Sequence, residues 1–189
     1  MRPGESQPAV NQSDLPFMAT GLETTQPIGH YEFCLILPAE CDLRFAVGEV
    51  VTLTEALWSQ LIEINGLVNA AITPATDLDI FGRAEVWFYP SVVGDCEDYV
   101  LLKRKLLAQA GWPLSALLIT VVRKADGEGH AVLTVRTDRG DLILDNLAVD
   151  IRVWNETPYL FVKRQSDRNT GRWVSIDDAR GANVPIVGR

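Results

Sequence analysis

Three apolar runs, at residues 116–123, 130–137 and 142–147, follow one another with only short interruptions, and no other part of the sequence restricts the fold as tightly. The interruptions, Lys124-Ala125-Asp126-Gly127-Glu128-Gly129 and Thr137-Asp138-Arg139-Gly140-Asp141, are rich in turn formers. Strands joined by such turns pair antiparallel, which predicts a meander. Further β-rich runs at 159–163 and 173–176 add strands. Upstream, Leu57, Leu61, Ile64 and Val68 recur at helical spacing beside Trp58, so a helix capped by Thr52 or Thr54 runs to about Ile72. A short extended run at 84–89 leads to a second helix from Asp95. Tyr99, Leu102, Leu106 and Ala110 form its apolar stripe, Lys103, Arg104 and Lys105 point toward solvent, and Gly111 and Pro113 end it. The class is α+β, with helices packed on a largely antiparallel sheet.

A chain of 189 residues with 47% apolar content supports one domain with a substantial core. Residues 1–28, rich in Pro, Gly, Ser, Thr and Gln, read as an extended or disordered arm, 29–177 as the folded domain and 178–189 as a loose tail. Seventeen basic against twenty-five acidic residues give a net charge of −8, which repels phosphate backbones and argues against nucleic acid as a partner. No run reaches the roughly 20 apolar residues needed to span a bilayer, and no phosphate-binding glycine motif is present. The opening MRPGESQPAVNQSD lacks the apolar core of a secretory signal, which fits a cytosolic chain or the mature part of an exported one. Cys34 and Cys41 bracket Pro38 at a spacing that can close a disulfide across a turn, or they stand as two buried free thiols. Cys96 is odd in either case.

Cys96 lies in GDCEDYVLL at the first turn of the second helix. Free backbone amides and the helix dipole there stabilise a thiolate and can face an oxyanion. Cysteine hydrolases also need a histidine and a polar group that orients it. There are only two histidines, and His30, in PIGHY, has no ligand pattern around it and is expected to be structural. His130 opens the second strand of the meander, at a sheet end where a side chain can project into a cleft. If Thr137 pairs with Gly140, His130 faces Leu147 and Asp145 is its diagonal neighbour. A one-residue slip puts Asn146 there instead, which can also orient an imidazole. Taken singly, the three have plain structural roles as a buried thiol, a satisfied sheet histidine and a strand-ending turn; in this order they form a catalytic constellation. Trp87 either packs in the core or rim or lines the cleft. No second Cys or His stands at zinc spacing near Cys96.

The blocks Gly94-Asp95-Cys96-Glu97-Asp98-Tyr99, Gly129-His130-Ala131-Val132-Leu133 and Leu142-Ile143-Leu144-Asp145-Asn146 resemble the bacterial transglutaminase-like cysteine proteinases, over about residues 27–176. The resemblance implies a papain-like, transglutaminase-type core and a triad of Cys96, His130 and Asp145, and so favours Asp145 over Asn146. It also implies hydrolysis of a protein or peptide substrate, processing of cell-surface proteins, and a periplasmic location. In the LapG-related branch, acids flanking the cysteine help bind calcium, and Asp95 and Glu97 occupy matching places. The chain departs from that branch in its shortness and its Cys34 and Cys41 pair. The hydrolysis itself requires no cofactor.

The acids around Cys96 oppose its ionisation. One carboxylate at about 7 Å, with an effective dielectric near 20, disfavours the thiolate by roughly 2.4 kcal/mol. Asp95 is placed to cap the helix with Asp98 bonding back to it. Successive helical residues point about 100° apart, so Glu97 and Asp98 need not face the sulfur. For Asp95 and Glu97 the sharper expectation is Ca2+, with further oxygens completing the six to eight ligands such an ion takes. Two other activities fit the same residues: acyl transfer to an amine, as in a transglutaminase or amidase, and a non-catalytic calcium-responsive binding module.

Overall fold

The computed structural model describes residues 16–183, so residues 1–15 of the expected arm and 184–189 of the expected tail lie outside the described residues. The chain runs β1 (Thr20–Thr24), α1 (Ile28–Ile36), α2 (Glu55–Ala71), β2 (Thr73–Pro74), α3 (Asp77–Phe81), β3 (Val93–Gly94) and α4 (Cys96–Gln109). Six strands follow: β4 (Leu117–Arg123), β5 (Gly129–Thr137), β6 (Gly140–Leu144), β7 (Arg152–Val153), β8 (Leu160–Gln165) and β9 (Trp173–Ile176). Together with β1 they form a seven-stranded sheet in the order β1-β9-β8-β4-β5-β6-β7, with every neighbouring pair antiparallel.

The meander takes the expected register, with Thr137 opposite Gly140 and Leu133 opposite Leu144. Gly140 sits at φ 119°, and a Cβ there would come 2.5 Å from the Pro16 carbonyl, so only glycine fits the turn. The third strand ends at Leu144 rather than 147, because the Leu147 amide leaves the ladder to donate to Asp145 Oδ1 at 3.0 Å. Thr54 caps α2, its hydroxyl accepting the Leu57 amide at 3.2 Å. The expected extended run at 84–89 is irregular instead, with Glu85 at φ 60°.

Two boundaries differ from expectation. Thr20–Thr24 falls in the stretch expected to be an arm, yet it pairs with β9 along one edge of the sheet. In the tail, Asp178 accepts the Phe161 amide at 2.9 Å, and the Arg180 guanidinium bonds Asp178 and lies 4.8 Å over the Trp154 ring. Both segments are polar enough to read as loose, and it is strand pairing for the first, and a hydrogen bond and a cation–π contact with distant residues for the second, that fix them.

Helix α4 packs against β5 and β4 on one side and against α2 on another. Leu61, Val68, Leu101, Leu107, Ile119, Leu133 and Leu144 form the core between these layers. Because α4 is covered on two sides, a single apolar stripe understates its burial. Lys103 and Arg104, expected at solvent, are 0% and 4% exposed. Arg104 Nε donates to the Leu117 carbonyl at 3.1 Å, and its Nη1 lies 3.8 Å from Glu40. Burial brings the Lys103 ammonium down to about 7, opposed by the charge of Asp145.

A disulfide joins Cys34 and Cys41, tying the end of α1 to the turn that follows. Closing so short a loop removes about 2–3 kcal/mol of unfolded-chain entropy. The Cys34→Ser/Cys41→Ser double variant is therefore expected to be that much less stable in a urea titration.

Candidate active site

The turn before α4 is shaped by Gly94, where a Cβ would approach Asp98 Oδ2 to 2.8 Å. Asp98 Oδ2 accepts the Asp95 amide at 3.2 Å, as expected of a capping partner. Its other oxygen accepts the Phe88 amide at 3.0 Å, so this buried carboxyl also ties the 85–90 loop to the helix start. Burial raises Asp98 to about 8.

Cys96 then opens into a cleft of about 540 Å³ that Trp87, Glu97, His130, Ala131 and Lys163 also line. Cys96 is the free thiol that the Cys34–Cys41 disulfide leaves over. His130 is buried, and its Nε2 lies 2.8 Å from Asp145 Oδ1. The register that makes Asp145 the diagonal neighbour of His130 thus brings the two side chains into contact, and Asn146 is not the partner. Asp145 Oδ2 accepts the Tyr159 hydroxyl at 2.5 Å. Burial pushes Asp145 up, but hydrogen bonds from His130, the Leu147 amide and Tyr159 outweigh it and hold the carboxyl below its ordinary range.

The thiol environment is acidic. Cys96 Sγ donates to Glu97 Oε2 at 3.2 Å, so Glu97 does face the sulfur, contrary to the stagger expected from helix geometry. The long Glu97 side chain folds back across its own turn to reach it. Burial, then the charge and hydrogen bond of Glu97, hold the thiol well above its usual range, while the Ala131 amide pulls it down.

Behind the sulfur, Asp77, Asp95 and Glu97 each present an oxygen within 4.8 Å of the others. The Asp77 amide donates to Asp95 Oδ2 at 3.4 Å, and the Val86 amide donates to Asp77 Oδ2. Asp77 Oδ1 and Asp95 Oδ1 are buried without a hydrogen-bond partner among the described residues. Burial and then the Asp95 charge raise Glu97 to about 9. Burial likewise raises Asp95 and Asp77. Unpaired carboxylate oxygens converging without nitrogen or sulfur are donors suited to a hard divalent cation. Asp77 is absent from the sequence expectation because it precedes Asp95 by eighteen positions; the β2–β3 pairing, Pro74 opposite Gly94, brings the two helix starts together. The signal for it is the acid-rich cap Thr76-Asp77-Leu78-Asp79.

His30 has the structural role expected of it. It is 1% exposed, Trp173 Nε1 donates to its Nδ1 at 3.2 Å, and its ring meets the Trp87 edge with centroids 5.4 Å apart. Burial, with help from Arg104, holds it near 4 and neutral. Cys34 and Cys41 lie within ligand reach of His30, but their sulfurs are bonded to each other, which removes the thiolates a metal would need. Trp87 combines both expected roles: it is buried against His30 and lines the cleft.

The family described as bacterial transglutaminase-like cysteine proteinase BTLCP matches residues 20–181. The chain belongs to this family. The transglutaminase-like proteinase fold also fits solved structures of Legionella pneumophila LapG. Calcium-bound LapG is 26% identical, with 62% of this chain and 68% of LapG covered and a TM-score of 0.54. EGTA-treated LapG is 24% identical, with 67% and 74% covered and a TM-score of 0.52, a likeness of fold. No curated protein matches the sequence significantly. As a member of the family, this proteinase is a cysteine peptidase with an α+β, papain-like core.

Proposed function

We propose that the proteinase hydrolyses peptide bonds in a protein substrate with Cys96 as nucleophile, His130 as proton carrier and Asp145 as its orienting anion. The observation that carries this is the 2.8 Å contact between His130 and Asp145 at the cleft into which Cys96 opens. With Nε2 engaged by Asp145, Nδ1 is the ring nitrogen left to take the thiol proton. The sulfur attacks the scissile carbonyl, and the backbone amides at the start of α4 would receive the oxyanion. His130 returns its proton to the leaving amine, then draws one from water for deacylation.

The acid cluster supports a calcium role in the same site. Asp77, Asp95 and Glu97 would hold the ion, which would supply positive charge beside the thiol and compete with Sγ for the Glu97 carboxylate. LapG has been solved calcium-bound, a further support. The Cys34–Cys41 disulfide supports export to an oxidising compartment such as the periplasm, where substrates on the cell surface are in reach.

Incubation with a proteome-derived peptide library, with and without an added primary amine, tests the chemistry by mass spectrometry. New termini formed by the wild type and absent from Cys96→Ala are expected. Amine adducts outnumbering hydrolysed products would instead assign acyl transfer.

A further inference from the structure

We propose that Tyr159 is a positioning residue for the catalytic histidine, fixing the Asp145 carboxylate with its hydroxyl and covering the His130 ring with its own; the proposal rests on the triad described above. Tyr159 immediately precedes β8, which lies three strands from β6 in the sheet, so the contact joins two distant parts of the chain. Its side chain is buried, its hydroxyl donates to Asp145 Oδ2 at 2.5 Å, and its ring is tilted 57° to that of His130 with centroids 5.5 Å apart.

The two carboxylate oxygens have different duties. Oδ1 receives His130 Nε2 and the Leu147 amide. Among the described residues Oδ2 is bonded by Tyr159. With both oxygens engaged, rotation of the carboxylate plane is arrested, and the plane determines where the imidazole points. A buried carboxylate that loses a donor also loses stabilisation of its charged form, and with it part of its support for an imidazolium. Burial and the Asp145 charge drive the Tyr159 hydroxyl upward, so it remains a donor across the working pH range. Asp145 and Tyr159 also line a smaller cavity of about 190 Å³ with Leu147 and Pro158. Removing the aromatic ring would enlarge that space toward the carboxylate.

Cys96 is the chain's free thiol, so its alkylation by iodoacetamide in calcium-containing buffer reads the site without a known substrate. Tyr159→Phe, which keeps the ring, is expected to slow alkylation about three- to tenfold. Its melting curve should stay close to wild type, and the downfield proton resonance of His130 Nε2 should shift. Tyr159→Leu should slow it further and lose that resonance to solvent exchange. In an Asp145→Asn background, Tyr159→Phe should add less than about a twofold effect, because its route to the histidine is already cut. A wild-type rate and an unmoved resonance in Tyr159→Phe would overturn the proposal, as would an undiminished effect in the Asp145→Asn background. A wild-type rate in Asp145→Asn alone would overturn the triad instead, and is seen separately.

Discussion

His130→Ala is expected to lower peptide hydrolysis by about 10⁴-fold or more, the loss seen when a triad loses its proton carrier. The thiol sits at a helix start, yet burial and neighbouring carboxylates hold it in its protonated form. The Ala131 amide, which pulls the thiol down, is retained in the variant; the imidazole that would take the thiol proton in the proposed triad is not. Iodoacetamide should therefore alkylate Cys96 of His130→Ala no faster than the cysteine of the unfolded chain, while the wild type reacts faster. Activity within tenfold of wild type would remove His130 from the mechanism. A wild-type thiol no more reactive than in the unfolded chain would favour a binding module.

Chelation of divalent cations is expected to slow Cys96 alkylation by roughly 100-fold at neutral pH. Glu97 is raised to about 9, so without an ion the cluster keeps a proton there at pH 7. Three carboxylates sharing one proton carry about two negative charges; a divalent cation that expels the proton leaves about one. One charge removed even at about 7 Å favours the thiolate by roughly 2.4 kcal/mol, close to two pKa units, and Glu97 Oε2 lies nearer, 3.2 Å from the sulfur. The sign extends to affinity: protons compete with the cation, so calcium should bind more tightly as pH rises toward 9. Calorimetry in buffers of different ionisation enthalpy should show proton release on binding, and Asp77→Asn should weaken binding at least tenfold. Undiminished binding in Asp77→Asn would exclude that carboxylate, and absence of saturable heat in wild type would exclude the ion.

The meander and the α2 and α4 helices are legible in the sequence because turn formers and one-sided apolar periodicity are local signals. Register follows from the Thr137–Gly140 turn, and through it the pairing of His130 with Asp145. Tertiary choices are not written locally. Lys103 reads as a solvent residue until α2 is known to cover α4, and Asp77 has no visible tie to Asp95 until β2 lies beside β3. The Glu97–Cys96 contact depends on a side-chain rotamer, which helical spacing does not set.

The pairing of β1 with β9 places an early and a late segment of the chain side by side, Thr24 opposite Trp173. β1 therefore has no neighbour until β9, about 150 residues later, is available, a non-local closure that slows folding. Shortening the protein at either end would expose the same margin of the sheet, since loss of β9 strands β1 and bares β8 as well. An exposed margin of that kind is a template for aggregation. Expression boundaries set inside Thr20 or before Ile176 should give insoluble material even though Cys96, His130 and Asp145 are retained.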